Sequence, residues 1–195
     1  MQGTGLTTPL MTVWLPVVIA FAAASVAAVT DVVEFRVRNA LTLPLMAAGL
    51  IYHSAVSGWT GLSTSFLGLL FGLGVLIVPW LLGLMGAGDV KLLAGVGAWL
   101  GLSGALIAFV VASVAAGLYA VLLIVYRGKI RESLLTLKVI CYRFVALGTY
   151  FGKEDLVQEL SAGPDRRLRV IPFGAMVPIG IVAALLWHEW ITGRF

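Results

Sequence analysis

Asp89 is the residue in this chain that most needs a chemical explanation. It sits in Gly86-Ala87-Gly88-Asp89-Val90-Lys91, between two long apolar runs. A carboxylate beside hydrocarbon is costly, so by default it marks a functional site whose partner has to be found. A second aspartate, Asp31, closes the first apolar run, in the cluster Asp31-Val32-Val33-Glu34-Phe35-Arg36-Val37-Arg38-Asn39. Two membrane-edge carboxylates on one face can form a dyad. One member stays protonated, because two adjacent like charges cannot both ionise cheaply. The ionised member takes a proton from water, and the protonated member polarises a scissile carbonyl. This chemistry needs neither cysteine, metal nor cofactor. Gly86 and Gly88, without side chains, let a substrate backbone approach Asp89 and let the helix start be irregular.

Each residue also has a plainer reading. Asp31 alone could cap or solvate a helix end. Asp89 could pair with Lys91, or could simply be favoured by the dipole in the first turn of its helix. An ion-conducting or transport site using Asp89 and Lys91 fits the same pattern. Glu34, Arg36 and Arg38 read as juxtamembrane surface, and Cys141 as a buried apolar position. His53 and His188, with tryptophans nearby, read as interfacial residues on the side opposite the aspartates. That placement argues against a Ser-His hydrolase.

The elements that must position these groups follow from composition. The chain has 195 residues, 61% hydrophobic and 11% charged, with mean hydropathy +1.05. A soluble domain would carry about 25% charged residues. The expectation is an all-α, polytopic membrane protein forming one domain over 1–195. A membrane β-barrel would alternate apolar and polar residues, and these segments are continuously apolar. The single cysteine excludes an internal disulfide and a multi-Cys zinc site.

Six transmembrane helices are expected. The first, 9–30, follows an uncharged start that lacks the basic region of a cleavable signal peptide, so it reads as retained. The second is 40–56, with a turn at Ser57-Gly58-Trp59-Thr60-Gly61, and the third is 62–85. Residues 92–126 form 35 positions without a charge, too many for one span of ~20 residues and few for two. The turn signal inside is Gly101-Leu102-Ser103-Gly104. The fourth helix can cross only if it starts near Gly86 or Gly88, which puts Asp89 and Lys91 in its first turns. The fifth span is 105–126 and the sixth 171–191. Between them lies a polar loop, 127–170, whose part 129–147 reads as an interfacial amphipathic helix that either guides substrate or docks on anionic lipid.

Six spans place the Asp31 segment, the Asp89 motif and the 127–170 loop on one face. That face carries 12 of the 13 basic residues, all but Arg194. The bias makes it cytoplasmic, with both termini outside, in the inner membrane. The net charge of +4 is therefore an orientation signal and not a nucleic-acid footprint.

The motif at 86–91 resembles the G-x-G-D-x-K motif of the type IV prepilin peptidases, aspartic peptidases of the GxGD class. Asp31 through Arg36 to Asn39, followed by Leu41-Thr42-Leu43-Pro44, resembles that family's first aspartate segment, which usually ends R-I-P-N-x-L-T. Ile171-Pro172-Phe173-Gly174 through Gly180 is similar to its segment at the last helix. The resemblance covers nearly the whole chain. It implies that Asp31 and Asp89 are the catalytic pair, with Gly86, Gly88, Lys91, Arg36 and Asn39 in support. It implies prepilin or pseudopilin substrates, cleaved of a short basic leader at the cytoplasmic membrane edge.

Arg38 stands where the family has proline. Larger members carry a cytoplasmic insertion with cysteine pairs and also N-methylate the new terminus. This chain has only Cys141, so it is similar to the short peptidase-only form of Tad/Flp pili or to an archaeal preflagellin peptidase. No methyltransferase activity is expected. Two other readings stand beside this one. A small transporter or channel would often show paired repeats with broken helices, and no repeat is visible. A non-catalytic subunit of a pilus or secretion machine would have no need of both aspartates.

Overall fold

Helices make up all the regular structure among the residues that the computed structural model describes, which are 14–34, 39–81, 85–127 and 173–192. They are α1 (Leu15–Glu34), α2 (Asn39–Leu81), α3 (Ala87–Arg127) and α4 (Phe173–Thr192). The expected 129–147 amphipathic helix, most of the polar loop, Arg36, Cys141 and Arg194 lie outside the described residues.

Helix α1 differs from expectation at its end. The apolar run stops at Asp31, yet the helix continues to Glu34. Residues 31–34 contain neither glycine nor proline, so nothing in their backbone preference halts the helix when the apolar character ends.

Two helices are too long to be single spans, and each is broken once. α2 has 43 residues and a break at Gly58, with φ 59 and ψ −137. α3 has 41 residues and a break at Gly101, with φ 69 and ψ −175. Both conformations are open essentially to glycine alone. At Gly58 the chain turns back on itself, because Gly61 packs against the carbonyl of His53. The halves are α2a (39–57), α2b (59–81), α3a (87–100) and α3b (102–127). The breaks fall inside the two turns read from sequence, and α3 starts at Ala87, as the length argument required. Among the described residues there are thus six helical segments.

α3a is the axis of the bundle. Every residue from 92 to 99 is buried. A helix that is apolar all round is stable only when enclosed on every side. Small residues allow the enclosure. Gly68 and Gly97 approach so closely that a methyl group on either would run into the other's carbonyl. Gly72 lies against Ala94, and Gly180 of α4 against the carbonyl of Ala108 in α3b.

Residue size is inverted relative to a soluble protein. On α3b the inward face is Ala105, Ala108, Ala112 and Ala116, while Leu102, Leu106, Val110, Val114, Leu118 and Leu122 are exposed. On α1, Ala20, Ala24 and Ala27 are buried, while Val18, Phe21, Val26 and Val29 are exposed. Small residues between helices and large apolar residues outside are the pattern of helices packing in lipid. Both α2 and α3 are long and apolar enough to cross a membrane, and most of each is not buried within the chain.

Candidate functional site

Asp89 occupies the first turn of α3, where the dipole favours a carboxylate. Its backbone N–H donates to the carbonyl of Gly86 at 3.2 Å, so the motif tightens directly into the helix. The side chain is buried, with 3% of its surface exposed. Gly86 is exposed, and a methyl group there would come within 3.8 Å of Asp89 Oδ2. The glycine therefore leaves open the approach to that oxygen.

The direction in which Asp89 projects follows from the three faces of α3a. Lys91, Gly95 and Ala98 meet α2a, at Asn39, Leu45 and Gly49. Ala94 and Gly97 meet α2b, at Gly72 and Gly68. Asp89 belongs to the remaining face, with Leu92, Val96 and Leu100 at helical spacing behind it. That face is left to the other elements, and both α1 and α4 contact α3.

Asp31 lies in the last turn of α1, and its side chain is outside the described residues. The end of the bundle on which it sits is fixed by the chain. Only residues 35–38 join Glu34 to Asn39, a reach of at most about 18 Å. Asn39 opens α2a, and its Oδ1 accepts a hydrogen bond from Lys91 Nζ at 2.9 Å. Lys91 is two residues beyond Asp89. The structure thus brings Asp31, Asn39, Asp89 and Lys91 to one end of the bundle.

Lys91 bonds Asn39 across the α2a–α3a contact. Gly88 is half-buried beside Asp89. Among the described residues, no group of three or more His, Cys, Asp or Glu gathers that could hold a metal ion. A shallow groove lined by Leu50, Ile51, Ser54, Ala55 and Leu62 lies beside the Gly58 reversal, at the opposite end from the aspartates.

Three polar residues of α2 carry roles that the sequence reading did not assign. Thr42, one turn into α2a from Asn39, is fully buried, and its Oγ1 has no hydrogen-bond partner among the described residues. His53 is half-buried and hydrogen-bonded to the carbonyl of Trp99 at 2.9 Å. Ser65 is fully buried and donates to the carbonyl of Ala98 at 2.6 Å. Their only signal in sequence was polarity inside apolar runs.

Comparison with known proteins bears on the same segments. A model of the type IV leader peptidase family matches residues 18–121, a span that takes in Asp31, Asn39, Asp89 and Lys91. No curated protein matches this chain, and no solved structure does.

Proposed function

The chain belongs to the type IV leader peptidase family, and from that premise we propose that it is a membrane aspartic endopeptidase of Flp/Tad-type prepilins. In this reading Asp31 and Asp89 form the dyad. The observation that carries it is the shared end of the bundle, with Asp89 buried in a first helical turn and the end of α1 tied to the same place through Asn39 and Lys91.

The ionised carboxylate accepts a proton from water, and the resulting hydroxide attacks the scissile carbonyl carbon. The protonated carboxyl gives its proton to the carbonyl oxygen. Collapse of the tetrahedral intermediate breaks the C–N bond: the departing amine takes up the proton first removed from water, and the protonated oxygen returns its proton to the carboxylate that donated it as the carbonyl re-forms. The exposed Gly86 supplies room for the extended backbone of a leader junction.

Six membrane-spanning helices, a cytoplasmic site and external termini complete the proposal. The six helical segments and the basic residues concentrated on one face support it. The substrate's apolar helix stays in the bilayer beside the large outward-facing residues. Peptidase activity without N-methylation fits a chain whose one cysteine cannot build the paired-cysteine insertion of larger members.

The test is co-expression of a Flp-type prepilin with the protein, following leader removal by mobility and by the mass of the new terminus. Asp31→Asn and Asp89→Asn should each reduce cleavage by about 10²–10⁴-fold, the scale of acid–base catalysis. Cleavage retained in either variant would refute the dyad.

A further inference from the structure

The far end of α3a holds a cluster of polar contacts that the proposed chemistry does not use. α3a stops at Gly101, so its last carbonyls have no intrahelical donor. Such groups inside an apolar bundle cost free energy unless another segment satisfies them. Two of them are met by side chains from different halves of α2. Ser65 Oγ of α2b donates to the carbonyl of Ala98 at 2.6 Å, and His53 Nε2 of α2a donates to the carbonyl of Trp99 at 2.9 Å. A third bond runs the other way, from Trp99 Nε1 to the carbonyl of Leu45 at 2.9 Å. Tyr52 stacks on Trp99 with ring centroids 5.4 Å apart and meets His53 edge-on at 5.3 Å.

These bonds converge on two consecutive residues of one helix. Each fixes both the height and the rotation of α3a, because a carbonyl acceptor moves with the helix. Between this cluster and the Lys91–Asn39 bond the contacts are apolar and involve small residues, such as Gly68 with Gly97 and Gly72 with Ala94. Contacts of that kind hold helices close but resist sliding weakly. The hydrogen-bonding cluster therefore supplies the register.

We propose that His53 and Ser65 are positioning residues, which clamp the last carbonyls of α3a and so set the height and rotation of Asp89 and Lys91 at its other end. The relevance to catalysis rests on the peptidase reading. The clamp itself does not, and its test is separable.

The register can be read halfway along α3a. A Cβ built on Gly95 lies 3.5 Å from the Cβ of Leu45, within the range of a disulfide. In a Cys141→Ser background, Leu45→Cys with Gly95→Cys should form a disulfide under mild copper-phenanthroline oxidation in membranes. Adding Ser65→Ala or His53→Ala should slow its formation at least about threefold, and His53→Gln, which keeps a donor at the Nε2 position, should restore it. In the otherwise native chain, the same alanine variants should lower kcat for leader cleavage with KM little changed, and His53→Gln should recover it. An unchanged cross-linking rate in Ser65→Ala and His53→Ala overturns the clamp. Should His53→Ala fail to accumulate, Ser65→Ala decides alone, since it removes one oxygen atom. If the wild type cleaves no prepilin while cross-linking follows the clamp variants, the peptidase reading falls and the clamp stands.

Discussion

Lys91 and Asn39 are 52 residues apart in sequence and joined by one hydrogen bond of 2.9 Å. The bond links the first turn of the helix that carries Asp89 to the first residue of the helix that follows Asp31. Two further hydrogen bonds between α2a and α3a, near the other end of α3a, each pair a side chain with a backbone carbonyl. At this end, then, the two aspartate segments are held in relation by two side chains.

The first prediction concerns that bond. Asn39→Ala and Lys91→Met should each lower leader cleavage by about 10-fold, the equivalent of a net hydrogen bond of ~1.4 kcal/mol to a charged group. Asn39→Asp, which keeps an oxygen acceptor for Lys91, should retain most activity. The check is cleavage rate in matched membranes. Activity unchanged in Asn39→Ala would remove the bond from the site.

A second prediction concerns Thr42. Its hydroxyl is buried without a partner among the described residues, and Val has nearly the same shape without the hydroxyl. Thr42→Val should therefore leave thermal stability unchanged or raise it by about 1–2 kcal/mol. A clear loss of stability in detergent would show that the hydroxyl is bonded in the folded protein.

The glycine pair in the bundle centre gives a third. Gly68→Ala or Gly97→Ala places a methyl group into the facing carbonyl, so α2b and α3a must separate. Overpacking of this kind costs about 1–3 kcal/mol. Each variant should show a lowered unfolding temperature and lowered activity, whereas Gly74→Ala, which meets nothing within 4 Å, should be silent or slightly stabilising.

The two chain reversals separate strain from packing. Gly58 and Gly101 both have positive φ, but a methyl group on Gly58 meets nothing within 4 Å, while one on Gly101 lies 3.0 Å from Thr64 Cγ2. Gly58→Ala should cost about 1–3 kcal/mol from backbone strain alone. Gly101→Ala should cost more, and shortening Thr64 to Ser should recover part of the difference. Thermal unfolding of the three variants reads this directly.

A fifth prediction is chemical. Purified protein given a prepilin and labelled S-adenosylmethionine should release the leader and leave the new terminus unmethylated. Label in the mature pilin would overturn the peptidase-only assignment.

Much of the architecture was legible because its punctuation is glycine. Gly58 and Gly101 adopt conformations that few other residues tolerate, so the turns were visible as residue types inside apolar runs. The start of α3 at Ala87 followed from length, since 92–100 cannot span alone. Asp31 and Asp89 were conspicuous because charge is rare here. The end of α1 was misplaced by four residues, because loss of hydrophobicity does not end a helix where neither glycine nor proline follows. The roles of His53 and Ser65 were not legible. Their partners are backbone carbonyls 46 and 33 residues away, and a carbonyl carries no sequence signature. Only the break at Gly101, once folded against both halves of α2, creates acceptors for them.

The alanine faces of α1 and α3b set the chain's tolerance to mutation. Ala20, Ala24, Ala27, Ala105, Ala108 and Ala112 have no side-chain rotamers to freeze on folding, and almost nothing to truncate. Evolution can vary the outward Leu, Val and Phe among themselves, since lipid accepts any of them. The inward positions can change only by growing, and growth pushes helices apart. Diversification in this fold is therefore confined to its perimeter, and any drift at the centre has to arrive as paired changes across a helix contact.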